Sequence, residues 1–338
     1  MKATTTFVMS VGIVVLAVAE TYGNDRDKPS PAKRPLGVTG PVGCLKNPRK
    51  VARLRITRPG VYENYLVDSR WAGGNRVKIT ADNVTLRNCE IRNATGNGVG
   101  VFGKNVVIEN CRIHHLLAGS FSRQKDAHGI TGGWNNVTIR NCEIYYVSGD
   151  CIQFDPDRRS RGKVLIENCN LWTGPLPRDA AGFKRGERPG ENAFDSKTPP
   201  GGPRCRVTIR NCLIHGWRQP GQISLLAALN LKENVDARVE RCLFKDNQVC
   251  FRLRGPTRRG GARVCIVDCA VFDSDVGVRM EDNLRNLRID RMGIGRGIKR
   301  AYHRVGRGKF PGYKNTGEHK APPYDRLRLR GFGSTSRR

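Results

Sequence analysis

The chain has 338 residues and carries sixty Lys and Arg against thirty Asp and Glu, a net charge of +30. Its length accommodates one elongated domain or two ordinary ones. The charge points to an anionic partner. Only one long apolar run is present, near the start, so the sequence does not read as a chain that crosses a membrane several times.

That run, Phe7 to Ala19, follows Lys2 and ends in Ala17-Val18-Ala19. A basic residue, a short apolar core and a small-x-small end are what a signal peptidase accepts. The run is short for a span, which needs about 20 apolar residues. Residues 1–19 are therefore predicted to be a cleavable signal, with an uncleaved anchor as the alternative. The mature protein is expected to be secreted or periplasmic, with no membrane attachment once the signal is removed. Residues 20–42 are polar and Pro-rich and read as a linker. An irregular first coil or cap is expected over 43–80.

One phrase then recurs: VTLRNCEI (84–91), VVIENCRI (106–113), VTIRNCEI (137–144), VLIENCNL (164–171) and VTIRNCLI (207–214), with degenerate copies at 237–244 and 265–272. The shared cysteines are Cys89, Cys111, Cys142, Cys169, Cys212, Cys242 and Cys269, spaced by 22 to 43 residues. Such periods mean a solenoid. The shortest spacing fits a coil of three short strands, and the longer ones add loops. Within each copy the side chains alternate as in a strand, then slip by one at the asparagine. A bend fits there, because Asn tolerates the left-handed conformation. The fold class is all-β: a single-domain right-handed parallel β-helix over 43–291. Residues 292–338 lose the repeat and are expected to form a cap and a basic tail.

The cysteines fall on the inward side. Two readings stay open: a ladder of buried thiols acting as small hydrophobes, or disulfides between coils. No CxxC pair with His partners appears, so a zinc site is not expected.

Each phrase is followed by a second strand. Superposed without gaps, these strands give two apolar inward columns and two outward ones. The first outward column reads Gly100, Thr131, Gln153, Asp195, Asn230, Arg252, Arg279; the next reads Phe102, Gly133, Asp155, Lys197, Lys232, Arg254, Glu281. Neighbouring strands lie about 4.8 Å apart, so Asp155, Asp195, Lys197, Asn230, Lys232, Arg252 and Arg254 are expected to form one exposed patch grading from acidic to basic. A simple ladder of opposite charges would also stabilise a sheet. A patch of this kind holds the parts for β-elimination on a uronic-acid polymer. Carboxylates can hold Ca²⁺ against the sugar carboxylate. A lysine, Lys232 or Lys197, can take the proton beside it. Arg252 and Arg254 can grip neighbouring carboxylates, with Asn230 and Gln153 as further substrate contacts. The partner so implied is an anionic polysaccharide. Few aromatics lie on these strands, which removes a stacking platform for nucleic acid.

The Asn-rich coils and the segment GENAFDSKT (190–198) resemble the right-handed β-helix pectate lyases, especially polysaccharide lyase family nine. The resemblance implies that Glu191 and Asp195, four residues apart, help to bind Ca²⁺, with Asp155 or its neighbours Asp150 and Asp157 completing the ion site. It also implies that Lys232, 37 residues after Asp195, is the base. The chain departs from the family where Glu191 stands in place of an aspartate and where no adjacent Asp-Asp pair occurs. Two rivals remain at this level: a non-catalytic carbohydrate-binding protein, and a polygalacturonase-like hydrolase using Asp155 and Asp195. His128 reads as a corner hydrogen-bonder and Glu281 and Asp282 as solvated. Trp172, Trp217 and Phe183 are placed in loops, either stacking on sugars or buried. A monomer is expected.

Overall fold

The computed structural model describes residues 36–133, 135–154, 162–198, 203–219, 223, 225–255, 260–281, 283–306, 313–315 and 319–320. Among these the chain is built of strands, without a helix. Thirty-one strands form three parallel sheets of eleven, ten and ten strands, here called A, B and C in the order the chain meets them. Sheet A begins with Arg49–Val51, sheet B with Leu54–Ile56 and sheet C with Gly60–Glu63. Every third strand returns to the same sheet, so each coil contributes one strand to each face. Parallel crossovers of this kind take the right-handed path. A small antiparallel pair, Ala118–Ser120 with Arg123–Lys125, projects from one coil.

The repeated phrase spans the corner from sheet C to sheet A. Val137 and Ile139 point into the core, and so do Cys142 and Ile144 beyond the bend. The bend is the left-handed backbone of Asn88, Asn110, Asn141, Asn168 and Asn211, all with φ of 50–53°. Later coils place Arg241, Asp268 and Arg291 in the same conformation. Asparagine tolerates it through local hydrogen bonds, and the side chains stack: Asn141 Nδ2 donates to Asn110 Oδ1 at 2.7 Å. The seven core cysteines sit just past this corner, buried, with thiols directed at backbone carbonyls such as Arg140 O. All twelve cysteines are free thiols.

The asparagine corner also receives the segment 36–45. Residues 36–42, read from sequence as linker, run along it as part of a strap. Gly37 N donates to Asn211 O, Val38 N to Asn170 Oδ1, Thr39 N to Asn141 Oδ1, Gly43 N to Asn110 O and Leu45 N to Asn64 Oδ1. The cause is the corner itself, which presents a row of acceptors that a polar segment can satisfy. At the other end, Arg300–Arg304, Tyr313–Asn315 and His319–Lys320 extend the three sheets beyond residue 291, where the sequence repeat fades.

On the outside of sheet C one column alternates in sign: Glu63, Arg87, Glu109, Arg140, Glu167, Arg210 and Glu240 on successive strands. Arg87, Arg140 and Arg210 reach the preceding glutamate at 2.9, 2.6 and 2.7 Å. Opposite charges on neighbouring strands favour this pairing.

Candidate functional site

The second strands of the sequence repeat form sheet B, and its register sets the site. Ile152 pairs with Phe194, Phe194 with Leu229 and Leu229 with Phe251, all inward. Between them Gln153 pairs with Asp195, Asp195 with Asn230, and Asn230 with Arg252 on the opposite, outward side. The first outward column expected from sequence, Gly100 through Arg279, is the one observed.

Three carboxylates meet on this face. Asp195 ends the strand Asn192–Asp195, Glu191 immediately precedes it, and Asp150 precedes the strand of the coil before. One oxygen from each lies within 4.8 Å of the others. Asn192 Nδ2 donates to Asp150 Oδ1 at 2.7 Å, but Asp150 Oδ2 and Asp195 Oδ1 are buried without a hydrogen-bond partner. Lys232, on the next coil, donates from Nζ to Asp195 Oδ2 at 3.0 Å, and Lys197 Nζ lies 3.7 Å from the same atom. Three crowded carboxyls cannot all ionise freely. The Asp150 charge, then burial, pushes Glu191 up to about 8. Burial, then Asp195, pushes Asp150 well above the carboxylate range. Burial alone would lower Lys197, but Asp195, Asp150 and Glu191 outweigh it and hold it firmly as an ammonium.

This arrangement fits a hard divalent cation. Such ions take carboxylate oxygens, and two buried oxygens here lack donors. Asp150, Glu191 and Asp195 are the residues that would hold one. Asp155 and Asp157, the other expected ligands, lie outside the described residues.

His128 supports the triad from the preceding coil. Its Nδ1 accepts the Asp150 backbone N–H at 2.8 Å, so Nε2 carries the ring proton. Nε2 lies 2.9 Å from Nε2 of the Gln153 side-chain amide. The corner role expected of His128 is the one found. Asp126, not singled out in the sequence, approaches the same nitrogen at 3.7 Å; its place two residues before His128 was the available signal.

Several expectations need correction. The patch is not exposed. Asp195 has 0% of its surface accessible, Gln153 and Asn230 are buried, and the Lys232 side chain is 12% exposed. Two lysines fold over one short aspartate, which closes it off. Arg252 and Arg254 are not free cations. Arg252 Nε and Arg279 Nε both reach Glu281 Oε1 at 2.8 Å, and Arg254 Nε lies 3.2 Å from Oε2, though too poorly aligned to hydrogen-bond. Glu281 is thus a half-buried anchor rather than a solvated residue. Burial raises its pKa, but Arg252 and Arg279 outweigh this and hold it below the usual range. Asp282 lies outside the described residues. Trp217 and Phe183 are buried. Trp172 closes the sheet A strand Asn170–Trp172, stacked between Tyr145 and His215 at 4.4 and 5.7 Å, so its ring faces are occupied.

The class defined by this architecture is the right-handed parallel β-helix. Residues 75–184 match the family model described as right handed beta helix region. No curated protein matches the chain. Among solved structures, pectate lyase Pel9A is 12% identical, with 82% of this chain and 72% of that one covered, at a TM-score of 0.48. The alginate lyase from Paenibacillus sp. str. FPU-7 is 14% identical, with 83% and 89% covered, at 0.49. The Azotobacter vinelandii mannuronan C-5 epimerase AlgE6 A-module is 14% identical, with 85% and 88% covered, at 0.38.

Proposed function

We propose that the protein is an exported, monomeric polysaccharide lyase that cleaves a uronic-acid polymer, with Lys232 as base and Ca²⁺ held by Asp150, Glu191 and Asp195. The carrying observation is the contact of Lys232 Nζ with Asp195 at 3.0 Å, beside a carboxylate triad with two unsatisfied buried oxygens. Bound there, the cation would neutralise the sugar carboxylate and so acidify the adjacent C5–H. Lys232, no longer paired with Asp195 once that carboxylate held the cation, would give up its own proton to solvent and take the C5 proton. The C–H electrons form the C4–C5 double bond, the C4–O bond breaks, and the leaving oxygen takes a proton from water. Lys197, kept cationic by its carboxylate neighbours, pairs with a substrate carboxylate. Asn230 and Gln153 lie on either side of Asp195 in register and offer hydrogen bonds to sugar hydroxyls. Three arginines share the single charge of Glu281, which leaves the face beyond Lys232 net cationic.

The inverting hydrolase alternative wants carboxyls about 6.5–9.5 Å apart; the triad, with oxygens within 4.8 Å, is too tight for it. Its Asp155 lies outside the described residues. The test is a product assay on a panel of anionic polysaccharides with and without Ca²⁺. Unsaturated, ultraviolet-absorbing ends are expected. Reducing ends without that absorbance would reject the lyase reading. Lys232→Ala is expected to lower turnover by at least about a hundredfold while polymer binding survives; full turnover would remove Lys232 as base, and binding with no turnover in either protein would favour the non-catalytic binder.

A further inference from the structure

The alternating column on sheet C explains how most of that face handles its charge, and shows where the rule lapses. On the strands Cys205–Arg210, Val235–Glu240, Arg263–Val267 and Asn286–Asp290 two more outward columns run beside it. One reads Arg206, Asp236, Arg263, Asn286; the other reads Thr208, Arg238, Cys265, Arg288. The lone acid is already engaged, since Asp236 Oδ1 accepts from Arg204 Nε at 2.6 Å. Among the described residues, Arg206 and Arg263 have no carboxylate within ion-pair reach. Arg238 leans on Glu240 at 2.7 Å, and Arg288 is 3.7 Å from Asp290. All four arginines are exposed, and they border an open cavity of about 360 Å³.

Four arginines this close together, two of them with no carboxylate in reach, repel one another across the strands. Their order has a pattern, however. Each of four successive coils supplies one arginine, alternately from the first and the second column: Arg206, Arg238, Arg263, Arg288. The cations therefore zigzag along the helix axis, advancing about 4.8 Å per coil and stepping about 7 Å sideways. A 1,4-linked polyuronate with two-fold screw symmetry presents carboxylates in the matching way, one per sugar and on alternate sides, with a comparable advance per residue. Guanidinium forks suit carboxylates.

We propose that this face of sheet C is a second, non-catalytic site that binds a polyuronate chain lengthwise. The choice of a carboxylated polysaccharide rests on the lyase reading, whereas the site lies on a different sheet from the Asp195 cluster.

The test uses the full chain carrying Arg206→Gln and Arg263→Gln together, with polygalacturonate and alginate as probes in affinity electrophoresis and calorimetry. Binding is measured in a Lys232→Ala background so that polymer is not consumed, and turnover of short uronate oligomers is measured in the parent background. The expected result is polymer binding about tenfold weaker, with a shallower dependence on salt, a melting temperature equal to or above that of the parent and unchanged turnover of the oligomers. Unchanged polymer binding would overturn the proposal, as would an absence of polymer binding by the parent chain. A loss of oligomer turnover would overturn it by making the patch part of the catalytic cleft. Single-stranded DNA that outcompetes polyuronate, and loses its binding in the double variant, would overturn the assigned ligand class. If no lyase activity is found on any substrate, that reading fails alone, because the binding arm still decides this one.

Discussion

The chemistry of the site turns on how one carboxyl responds to its neighbours. Glu191 has an ordinary value of 4.5 and is pushed up to about 8 by the Asp150 charge and by burial. The folded chain therefore binds this proton more tightly than the unfolded chain. Its contribution to stability is fully present below about pH 4.5 and is lost as pH rises to about 8. In chelator, the melting temperature is expected to fall across that window; in Glu191→Gln the fall should flatten, and added Ca²⁺ should restore the upper end in the parent chain. A flat parent profile in chelator would show that the triad does not share its charge in this way. Lys197 belongs to the same balance: its ammonium is the counter-charge that lets Asp195 sit with no accessible surface.

The strand and its corner are the units the sequence displays most plainly. Alternation within VTIRNCEI gives the pleat, and the slip at Asn141 marks the left-handed corner, because both follow from local backbone sterics. Superposing the copies then yields the register of sheet B, and with it the pairing of Gln153, Asp195 and Asn230. What stays hidden is whatever depends on long side chains choosing among partners. Arg252, Arg254 and Arg279 converge on Glu281 from two neighbouring strands, and no spacing announces it. Nor does any periodicity mark residues 36–45, whose contacts are backbone N–H groups on asparagine oxygens. The cysteine ladder left two options, and the free thiols decide between them in a measurable form. Cys44 and Cys265 are half-buried and the other ten are buried. A thiol reagent should label at most these two in the native protein, and all twelve in denaturant without reductant; a smaller total in denaturant would reveal cross-links.

At the level of the molecule, stability is a sum over neighbouring coils, and the strap is an exception because it touches many coils at once. Thr39→Pro removes the N–H that donates to Asn141 Oδ1. A loss of about 1 kcal/mol is expected, seen as a lower urea midpoint with the slope unchanged. A lower slope as well would mean that the coils beneath the strap separate from the rest. The stacking also constrains how the site can change. Asp150, Asp195 and Lys232 come from three consecutive coils, one each. Loop insertions between strands leave their spacing untouched, however long. Duplicating or deleting a coil changes it by a whole rung of about 4.8 Å. Distances between reactive groups in this protein are thus quantised: divergence can swap the side chain on a rung, or move it by one rung, but has few routes to a position in between.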